Sequence, residues 1–532
     1  MAQADLVLTG GSGVEALAVR GGRIAAAGTT GEIDALVGLR TRVLELGGQM
    51  VLPGFQDAHL HPPHGGLSKL ECDLHDCSSR EECLDAISAY AAAHPEREWI
   101  VGDGWSMDSF PGGTPSREDL DAVAGDRLAF LTNRDGHGAW VGSRALALAG
   151  VGAETPDPPD GRIERTGGGE PQGTLHEGAM DLVERLLPAA TAEEWEEGIR
   201  LAQAELHALG ITAWQDATVT AETLAAYRAF AERGELTMRT EGNLLWDRGR
   251  GEEQVEELVE LRAQGSLGRL RIRGAKIFQD GVAENFTAAM LEPYVDTENR
   301  GISMHEPEQL ARMVTMLDAQ GFQVHVHTIG DRAVREALDA VEAAQRANGR
   351  RDARHHLAHI QFVHPEDVPR FRELGVVANA QPYWACREAY VTELTEPFVG
   401  PERTSYMYPS GSLNRAGARL AFGSDWTVST PDPLQQLEVA VNRIRPDDRG
   451  AAPLLPDEAL DLSTALSAFT SGSAYVNFLE EETGSLEPGK LADLVVLDRD
   501  LFEIEGGHVA DARVLLTLVE GEAVYAAPEL GW

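Results

Sequence analysis

The stretch Val51-Leu-Pro-Gly-Phe-Gln-Asp-Ala-His-Leu-His61 decides how the rest of this chain is interpreted. It is a short apolar run that ends in two histidines one residue apart, His59 and His61. Side chains alternate between the two faces of a strand, so both imidazoles project on the same side and can share one cation. The stretch therefore predicts a metal-binding strand end. By itself, however, an H-x-H pair also fits surface or core histidines.

Length and charge set limits on the class of protein. With 532 residues the chain is long for a single core, which predicts one large domain with a smaller one, or a decorated barrel. Its net charge of -41 repels phosphate backbones and anionic lipid, which argues against nucleic-acid and membrane-surface partners. The first residues lack the features of a signal peptide, and no apolar run reaches the ~18 residues needed to span a bilayer. We therefore expect a cytoplasmic protein.

Cysteine and lysine are both scarce. The spacings of Cys72, Cys77, Cys83 and Cys386 match no common zinc module, so we expect structural or free thiols. Lysine occurs only three times among the 45 basic residues, and the other 42 are arginine. This skew fits a GC-rich or salt-adapted source, although drift explains it too. A lysine at a position where the chemistry needs one is therefore less easily attributed to chance.

Strand-rich segments at both ends of the chain flank a long middle region. Residues 6–11, 16–28 and 42–46 near the start, and 491–498 and 514–525 near the end, show alternating patterns with glycine turns. Chain termini tend to lie close together in a folded domain. Residues 1–53 and 480–532 are therefore predicted to form one composite β-sandwich.

The middle region, residues 54–479, alternates strands with helices, which is the pattern of a parallel sheet. Helix signals support this, such as the capping box Thr191-Ala-Glu-Glu and the stop at Gly210. After the first strand, strand-like segments follow at 211–216, 237–242, 270–278, 323–327, 356–361, 376–380 and 420–425. Eight strands in this alternation predict an α/β fold, a (β/α)8 TIM-type barrel whose reactive residues lie at the C-terminal strand ends.

About 150 residues separate the first two barrel strands, far more than a barrel loop needs. Residues 66–190 are therefore predicted to be a large insertion, with strands of its own at 99–105 and 128–133. Because the insertion leaves the barrel at the mouth, we expect it to roof the active site.

Six polar residues lie at or near the C-terminal ends of the predicted barrel strands. In chain order they are His59, His61, Lys276, His327, His359 and Asp425. Barrel geometry brings these strand ends to one mouth, so all six can converge there. Neutral imidazole and carboxylate are good zinc ligands, whereas the ammonium group of lysine has no lone pair. His325 shares a face with His327 but lies deeper, and we expect it to pack in the barrel or to support a ligand.

This order of residues on strands one, four, five, six and eight resembles the amidohydrolase superfamily. The motifs are similar to those of its YtcJ-like branch, amidohydrolase family 3, and the likeness covers nearly the whole chain. They are Gly54-Phe-Gln-Asp-Ala-His-Leu-His, Lys276-Ile-Phe-Gln-Asp-Gly, His327-Thr-Ile-Gly-Asp-Arg-Ala, His359-Ile-Gln, Gly423-Ser-Asp-Trp-Thr-Val and Gly484-Ser-Leu-Glu-Pro-Gly-Lys-Leu-Ala-Asp-Leu-Val-Val-Leu-Asp.

The resemblance implies two divalent metal ions, with Zn2+ as the expected metal, bridged by Lys276 after its carboxylation by CO2. In this interpretation His59, His61, carboxylated Lys276 and Asp425 hold one ion. The same carbamate, His327 and His359 hold the other. A hydroxide between the ions is then the nucleophile, and Asp425 is the general base that passes a proton to the leaving group. Some superfamily members keep a single metal, and that alternative stays open.

Further residues are expected to contact the substrate. His137 in Thr132-Asn-Arg-Asp-Gly-His-Gly-Ala-Trp140 resembles a D-G-H segment of the same branch, and we interpret it as a catalytic and substrate-binding residue. An ordinary loop histidine is the alternative. Trp105, Trp384 and Trp426 are expected to line an apolar pocket, although aromatic packing explains them equally well.

Together these features predict a metal-dependent hydrolase that cleaves a C-N bond in a small-molecule amide, N-formyl compound or carbamate. The alternatives are a mononuclear deaminase, a cyclic-amide or ester hydrolase, and a non-catalytic binding protein that keeps the barrel. The substrate itself does not follow from the sequence, because loops rather than the fold decide it. The resemblance also allows a homodimer.

Overall fold

The computed structural model describes residues 3–530 and 532, and its largest sheet has eight parallel strands in sequential order. We number them barrel strands one to eight: Phe55–Leu60, Ile211–Val219, Arg239–Leu245, Leu270–Phe278, Gln323–Thr328, His356–His359, Val377–Ala380 and Arg419–Phe422. The two edges of the sheet approach each other, since Asp425 N donates to His59 O at 2.7 Å and His61 N donates to Trp426 O at 2.9 Å. This near-closed parallel sheet is of the TIM-barrel type and confirms the predicted barrel.

Helices cover the outside of the barrel. They are Pro62–Ser68, Ala192–Ala208, Ala221–Glu232, Gln254–Gly265, Pro307–Ala319, Asp331–Asn348, Val368–Leu374, Glu396–Thr404, Ser410–Arg415, Pro433–Asn442, Leu462–Ser467 and Ser473–Val476. Asp331–Asn348 shows why they pack there: it buries Val334, Leu338 and Val341 at three- and four-residue spacing. The predicted capping box is present, with Glu194 N donating to Thr191 Oγ1 at 3.1 Å and Thr191 N donating to the Glu194 carboxylate at 2.8 Å.

The segment between barrel strands one and two folds around a six-stranded sheet of its own, which we call the insertion sheet. In spatial order its strands are Gly161–Arg165, Pro171–Glu177, Gly138–Val141, Leu128–Asn133, Trp99–Trp105 and Cys72–Asp73. Its helices are Arg80–Ala93, Arg117–Ala124, Ser143–Ala149 and Asp181–Glu184. The strands Trp99–Trp105 and Leu128–Asn133 have the bounds that the sequence predicts.

Two four-stranded sheets contain the residues near the chain ends. The first consists of Leu6–Thr9, Ala16–Arg20, Arg23–Gly28 and Arg42–Glu45, with the short helix Thr30–Ile33 after its third strand. The second joins Met50–Pro53 to Leu494–Leu497, Val514–Val519 and Glu522–Ala526. Leu8 and Val19 of the first sheet share one apolar cluster with Leu494 and Leu516 of the second. The two sheets are therefore held together by a common core.

Two further predictions concern the cysteine thiols and the character of the helices. The four cysteines have free thiols. Within residues 3–530 and 532, no helix has both the length and the apolar character that crossing a membrane requires.

Candidate metal centre

Five of the eight barrel strands bring the predicted polar residues to one end of the barrel. His59 and Lys276 lie within strands one and four, and His327 lies near the end of strand five. His359 is the last residue of strand six, and Asp425 comes three residues after strand eight. The parallel register keeps these positions within two residues of one another along the strands, because Lys276 lies opposite His325 and Thr328 opposite His359.

Asp425 is at the centre of the group. Its Oδ1 atom lies 3.2 Å from Nε2 of both His59 and His61, and its Oδ2 atom lies 3.7 Å from Nδ1 of His359. His59, His359 and Asp425 each offer one donor atom, and these three atoms lie within 4.8 Å of one another. Ligands at roughly 2.1 Å from one zinc ion are at most about 4 Å apart, so a small inward shift is enough for the three to share a cation.

Several buried polar atoms in this group have no hydrogen-bond partner. They are Nε2 of His59, Nδ1 of His359, Oδ1 of Asp425 and Nζ of Lys276; Nε2 of His59 and Oδ1 of Asp425 are 3.2 Å apart but do not have the geometry of a hydrogen bond. Each buried polar group left unpaired costs about 1 to 3 kcal/mol, so four at one point need an explanation. A divalent ion binds the two imidazole nitrogens and the carboxylate oxygen directly. The donor set therefore fits a metal ion.

Burial keeps the imidazoles in the neutral form that binds metal. Desolvation, followed by the charge of Lys276, lowers the pKa of His59 to about 3. Desolvation is also the main reason why the pKa values of His327 and His359 lie well below the usual range. For Asp425, burial alone would raise the pKa, but the His59 and His61 imidazoles outweigh it and hold the pKa well below its usual value. The carboxylate therefore stays ionised.

Lys276 is the buried amine of the group, with 0% of its side chain exposed. Burial lowers its pKa to about 7, against the opposing effect of Asp425. Its Nζ atom lies 4.9 Å from the centre of the Phe278 ring. Near neutral pH, the Lys276 side chain is therefore a neutral amine in a large fraction of the molecules, and the neutral amine is the nucleophilic form.

Two further buried residues orient the imidazoles. Nε2 of His325 lies 2.8 Å from Nδ1 of His59, which leaves Nε2 of His59 for a metal. The Asp280 carboxylate lies 3.1 Å from Nδ1 of His327 and accepts hydrogen bonds from the backbone of Ile329 and Gly330. Such partners fix the tautomer and the angle of a ligand. Of the two roles expected for His325, the structure shows the supporting one. Sequence reasoning missed Asp280, although it lies in the motif that follows Lys276.

The backbone turns sharply at two of the ligands. His359 has φ 72° and Asp425 has φ 55°, a left-handed conformation that non-glycine residues rarely adopt. The turn at His359 coincides with the end of barrel strand six, and strand eight ends at Phe422, three residues before Asp425, whereas the sequence predicts strands that continue to residues 361 and 425. Leaving the strand early brings the Asp425 carboxylate into the barrel mouth.

The insertion brings His137 to the same place. Its ring centre lies 5.1 Å from that of His327, and only 13% of its side chain is exposed. Nδ1 of His137 lies 2.9 Å from Oε2 of Glu177. Burial would lower the pKa of His137, but the Glu177 carboxylate, aided by Asp135, outweighs burial and raises the pKa to about 9. Glu177 is a site residue that the sequence reasoning missed.

A cavity of about 430 Å3 lies next to these residues. Its lining includes Trp384 and Trp426, and it also includes Glu284 and Tyr390. Trp384 stacks on His359 with ring centres 5.3 Å apart and an angle of 3°. Trp426 O accepts the hydrogen bond from His61 N. None of the six predicted ligands is part of this lining, and the cavity adjoins them through Trp384, which stacks on His359, and through Trp426, which follows Asp425.

Trp105 lies elsewhere. It is 0% exposed, and its Nε1 donates to Leu131 O at 2.8 Å. Its ring packs against Phe110 and Trp140 in the core of the insertion. Of the two explanations that the sequence allows, aromatic packing is the one that the structure displays for Trp105.

Comparisons with known proteins show the family of this chain. The family model described as "Amidohydrolase family" matches residues 42–525. The chain is 28% identical to a protein of Bacillus subtilis named putative amidohydrolase YtcJ, over 98% of this chain and 97% of that protein. It is 28% identical to the N-substituted formamide deformylase of Arthrobacter pascens, over 96% and 95% of the two chains.

A solved structure shares both fold and sequence with this chain. It is described as an uncharacterized metal-dependent hydrolase from Pyrococcus furiosus. The two superpose with a TM-score of 0.71 at 28% sequence identity, and the match covers 93% of this chain and 99% of that one.

Proposed function

Because the chain belongs to the amidohydrolase family and is a metal-dependent hydrolase acting on C-N bonds, we propose that it cleaves an amide, N-formyl compound or carbamate. N-substituted formamides are the first substrates to test, since a relative that aligns over 95% of its length is named for them. The observation that carries the proposal is the convergence of unpartnered donors on His59, His359 and Asp425 beside the buried Lys276.

In this proposal His59, His61 and Asp425 would hold one divalent ion, and His327 and His359 would hold a second. Lys276, after carboxylation by CO2, would supply oxygen ligands to them. Nitrogen and oxygen donors of this kind favour Zn2+. When bound, such ions polarise a carbonyl group and lower the pKa of water to about 7. The lowered pKa of Lys276 supports carboxylation, because only the neutral amine reacts with CO2.

The side chains of the chain itself supply the proton transfers. The Asp425 carboxylate, ionised and 4% exposed, accepts the proton of the attacking water and returns it to the leaving nitrogen. His137 donates a hydrogen bond from Nε2 to the carbonyl oxygen as negative charge develops on it. Trp384 and Trp426 surround the substituent on nitrogen and exclude water from it.

A single-metal reaction is the second candidate. It is favoured by one observation, namely that His59, His359 and Asp425 form one compact donor group whereas His61 and His327 fall outside it. One ion bound there suits a deaminase or a hydrolase of cyclic amides or esters.

Metal analysis and product analysis together test the proposal. The purified protein is analysed for bound metal by mass spectrometry and then incubated with N-alkyl- and N-arylformamides, linear amides, carbamates, cyclic amides, esters and aminopurines. Release of formate and amine with two ions per chain supports the proposal. Release of ammonia, or ring opening, with one ion per chain supports the second candidate. Turnover that persists after chelation contradicts both.

A further inference from the structure

Glu177 is the last residue of its strand in the insertion sheet and touches His137 twice. Its Oε2 atom lies 2.9 Å from Nδ1 of His137, and its backbone N–H donates to His137 O at 3.2 Å. The antiparallel pairing of Gly138 with His176 sets this register, because it places His137, the residue before Gly138, opposite Glu177, the residue after His176. Glu177 therefore controls both the side chain and the backbone of His137.

Two residues of the barrel also form hydrogen bonds with Glu177 and His137. Thr287 Oγ1 donates to Oε1 of Glu177 at 2.7 Å, and Asn285 Nδ2 donates to His137 O at 3.0 Å. Both residues lie in the loop that follows barrel strand four, which carries Lys276. With both carboxylate oxygens bound, the Glu177 side chain has one allowed orientation, and only 4% of it is exposed.

The conformation of Glu177 is costly. Its φ is 51°, a left-handed value that costs on the order of 1 kcal/mol or more for a residue with a Cβ. A buried ion pair also gains little stability over apolar side chains of the same volume. Stability alone therefore gives no reason for a glutamate at this position, whereas holding His137 does.

We propose that Glu177 is the positioning residue of His137 and that, by holding Nδ1, it presents the Nε2 edge of the imidazole to the substrate carbonyl. This inference rests on the proposed function. In residues 3–530 and 532 the structure shows no hydrogen bond to Nε2 of His137, so this edge of the ring is open to a ligand. In this inference the insertion contributes the His137 imidazole to the reaction at the barrel mouth.

The same sheet provides a matched control pair. Nε2 of His176 lies 3.2 Å from Oε1 of Glu164, and this pair neither lines the cavity nor contacts a metal-binding residue. Glu164 also accepts hydrogen bonds from Arg162, which donates to Asn285 O, and the amide oxygen of a glutamine can still accept them. Glu164→Gln therefore removes the charge of a histidine-bound carboxylate of the insertion while this link to Asn285 can remain.

The test measures kcat and KM of zinc-loaded protein for an N-alkylformamide in Glu177→Gln, Glu177→Asp, His137→Ala and the double variant Glu177→Gln/His137→Ala. A loosened catalytic group costs about 10- to 100-fold in kcat, which we expect for Glu177→Gln with KM within about twofold of wild type. We expect Glu177→Asp to recover part of the rate, the double variant to be no slower than His137→Ala, and Glu164→Gln to match wild type.

Two results overturn the inference. The first is a wild-type kcat in Glu177→Gln. The second is that Glu177→Gln lowers kcat by the same factor in the His137→Ala background as in the wild-type protein. A second measurement does not depend on activity. In a crystal structure of Glu177→Ala, the His137 ring is expected to rotate or to occupy several orientations while His327 stays in place. An unmoved ring rejects the inference, whether or not the wild-type protein hydrolyses a formamide. A wild-type protein that hydrolyses no formamide counts against the proposed function alone.

Discussion

Replacing Lys276 with methionine is expected to abolish hydrolysis and at the same time to make the metal-free protein more stable. The two side chains have similar volumes, so the core around residue 276 stays filled. The amine is 0% exposed, and its nitrogen has no hydrogen-bond partner. A charge held in this place opposes folding, and methionine removes it.

The size of the effect follows from the pKa. Burial lowers the pKa of Lys276 from its ordinary 10.5 to about 7. At 1.36 kcal/mol per pH unit, the charged amine costs the folded state roughly 4 to 5 kcal/mol. The folded protein binds this proton more weakly than the unfolded chain does, so the cost is fully present below pH 7 and disappears as the pH approaches 10.5. With an unfolding entropy of about 2 cal/mol/K per residue over 532 residues, the variant gains about 4 °C in Tm at pH 7.

Scanning calorimetry of chelator-treated protein at pH 7 and pH 10 measures this gain. Lys490→Met is the control, because Nζ of Lys490 donates to Thr483 O at 3.1 Å and to Ser485 Oγ at 2.7 Å. Removing the Lys490 amine breaks these two hydrogen bonds, so Lys490→Met is expected not to raise Tm. A lower Tm for Lys276→Met at pH 7, or an equal gain at both pH values, would refute the assignment of Lys276 as a buried, unpaired amine.

Three other changes give separate tests. Asp425→Asn is expected to lower kcat by about 10³-fold, because the amide cannot accept the proton, and stopped assays on metal-loaded protein measure this. Glu241→Gln is expected to stabilise the protein at pH 8 and to have little effect at pH 5, as followed by urea denaturation. Burial raises the pKa of this carboxyl to about 8, so the cost of its charge appears only as the pH rises from 4.5 to 8. Trp384→Leu is expected to raise KM about tenfold, because Trp384 lines the cavity, whereas Trp105→Phe leaves KM unchanged.

Each of these has an outcome that contradicts it. Asp425→Asn with a wild-type rate excludes this carboxylate as the base. A loss of stability in Glu241→Gln at pH 8 means that its contact with Arg273, at 3.7 Å, outweighs the cost of burial. Equal KM changes in the two tryptophan variants assign the substrate to a surface other than the cavity.

Local sequence patterns predicted the elements that carry the ligands. Barrel strand four was predicted with the bounds that it has, 270–278, because β-branched and long apolar residues run between a glycine-containing turn and a polar loop. Barrel strand six is shorter than the sequence predicts, because His359 adopts a positive φ, and strand eight ends three residues before Asp425, which also has a positive φ. Only tertiary contacts hold a histidine or an aspartate in that conformation, and hydrophobic pattern does not report them.

The residues that orient the histidines could not be predicted from the sequence, because they also depend on tertiary contacts. Glu177 lies 40 positions from His137, and they meet only because two antiparallel strands adopt one register. A register error of one residue would turn Glu177 away from the ring. Asp280, just after barrel strand four, contacts His327 on the neighbouring strand five, whereas His325 on strand five contacts His59 on strand one, across the barrel. A single sequence shows which residues are able to bind a metal, whereas their orienting partners follow from the packed structure.

The barrel and the insertion contribute different parts of the site, and this restricts how substrate preference can change. The proposed metal-binding side chains come from barrel strands or from residues just after them, whereas Asp135 and His137 come from one turn of the insertion. Asp135 lines the cavity, and its Oδ1 accepts the hydrogen bond from His137 N at 2.9 Å. A substitution of Asp135 that alters substrate contact therefore also moves His137, so kcat and KM change together. Tyr390 and Tyr408 line the cavity without touching His137, so substitutions there can alter KM and leave kcat intact.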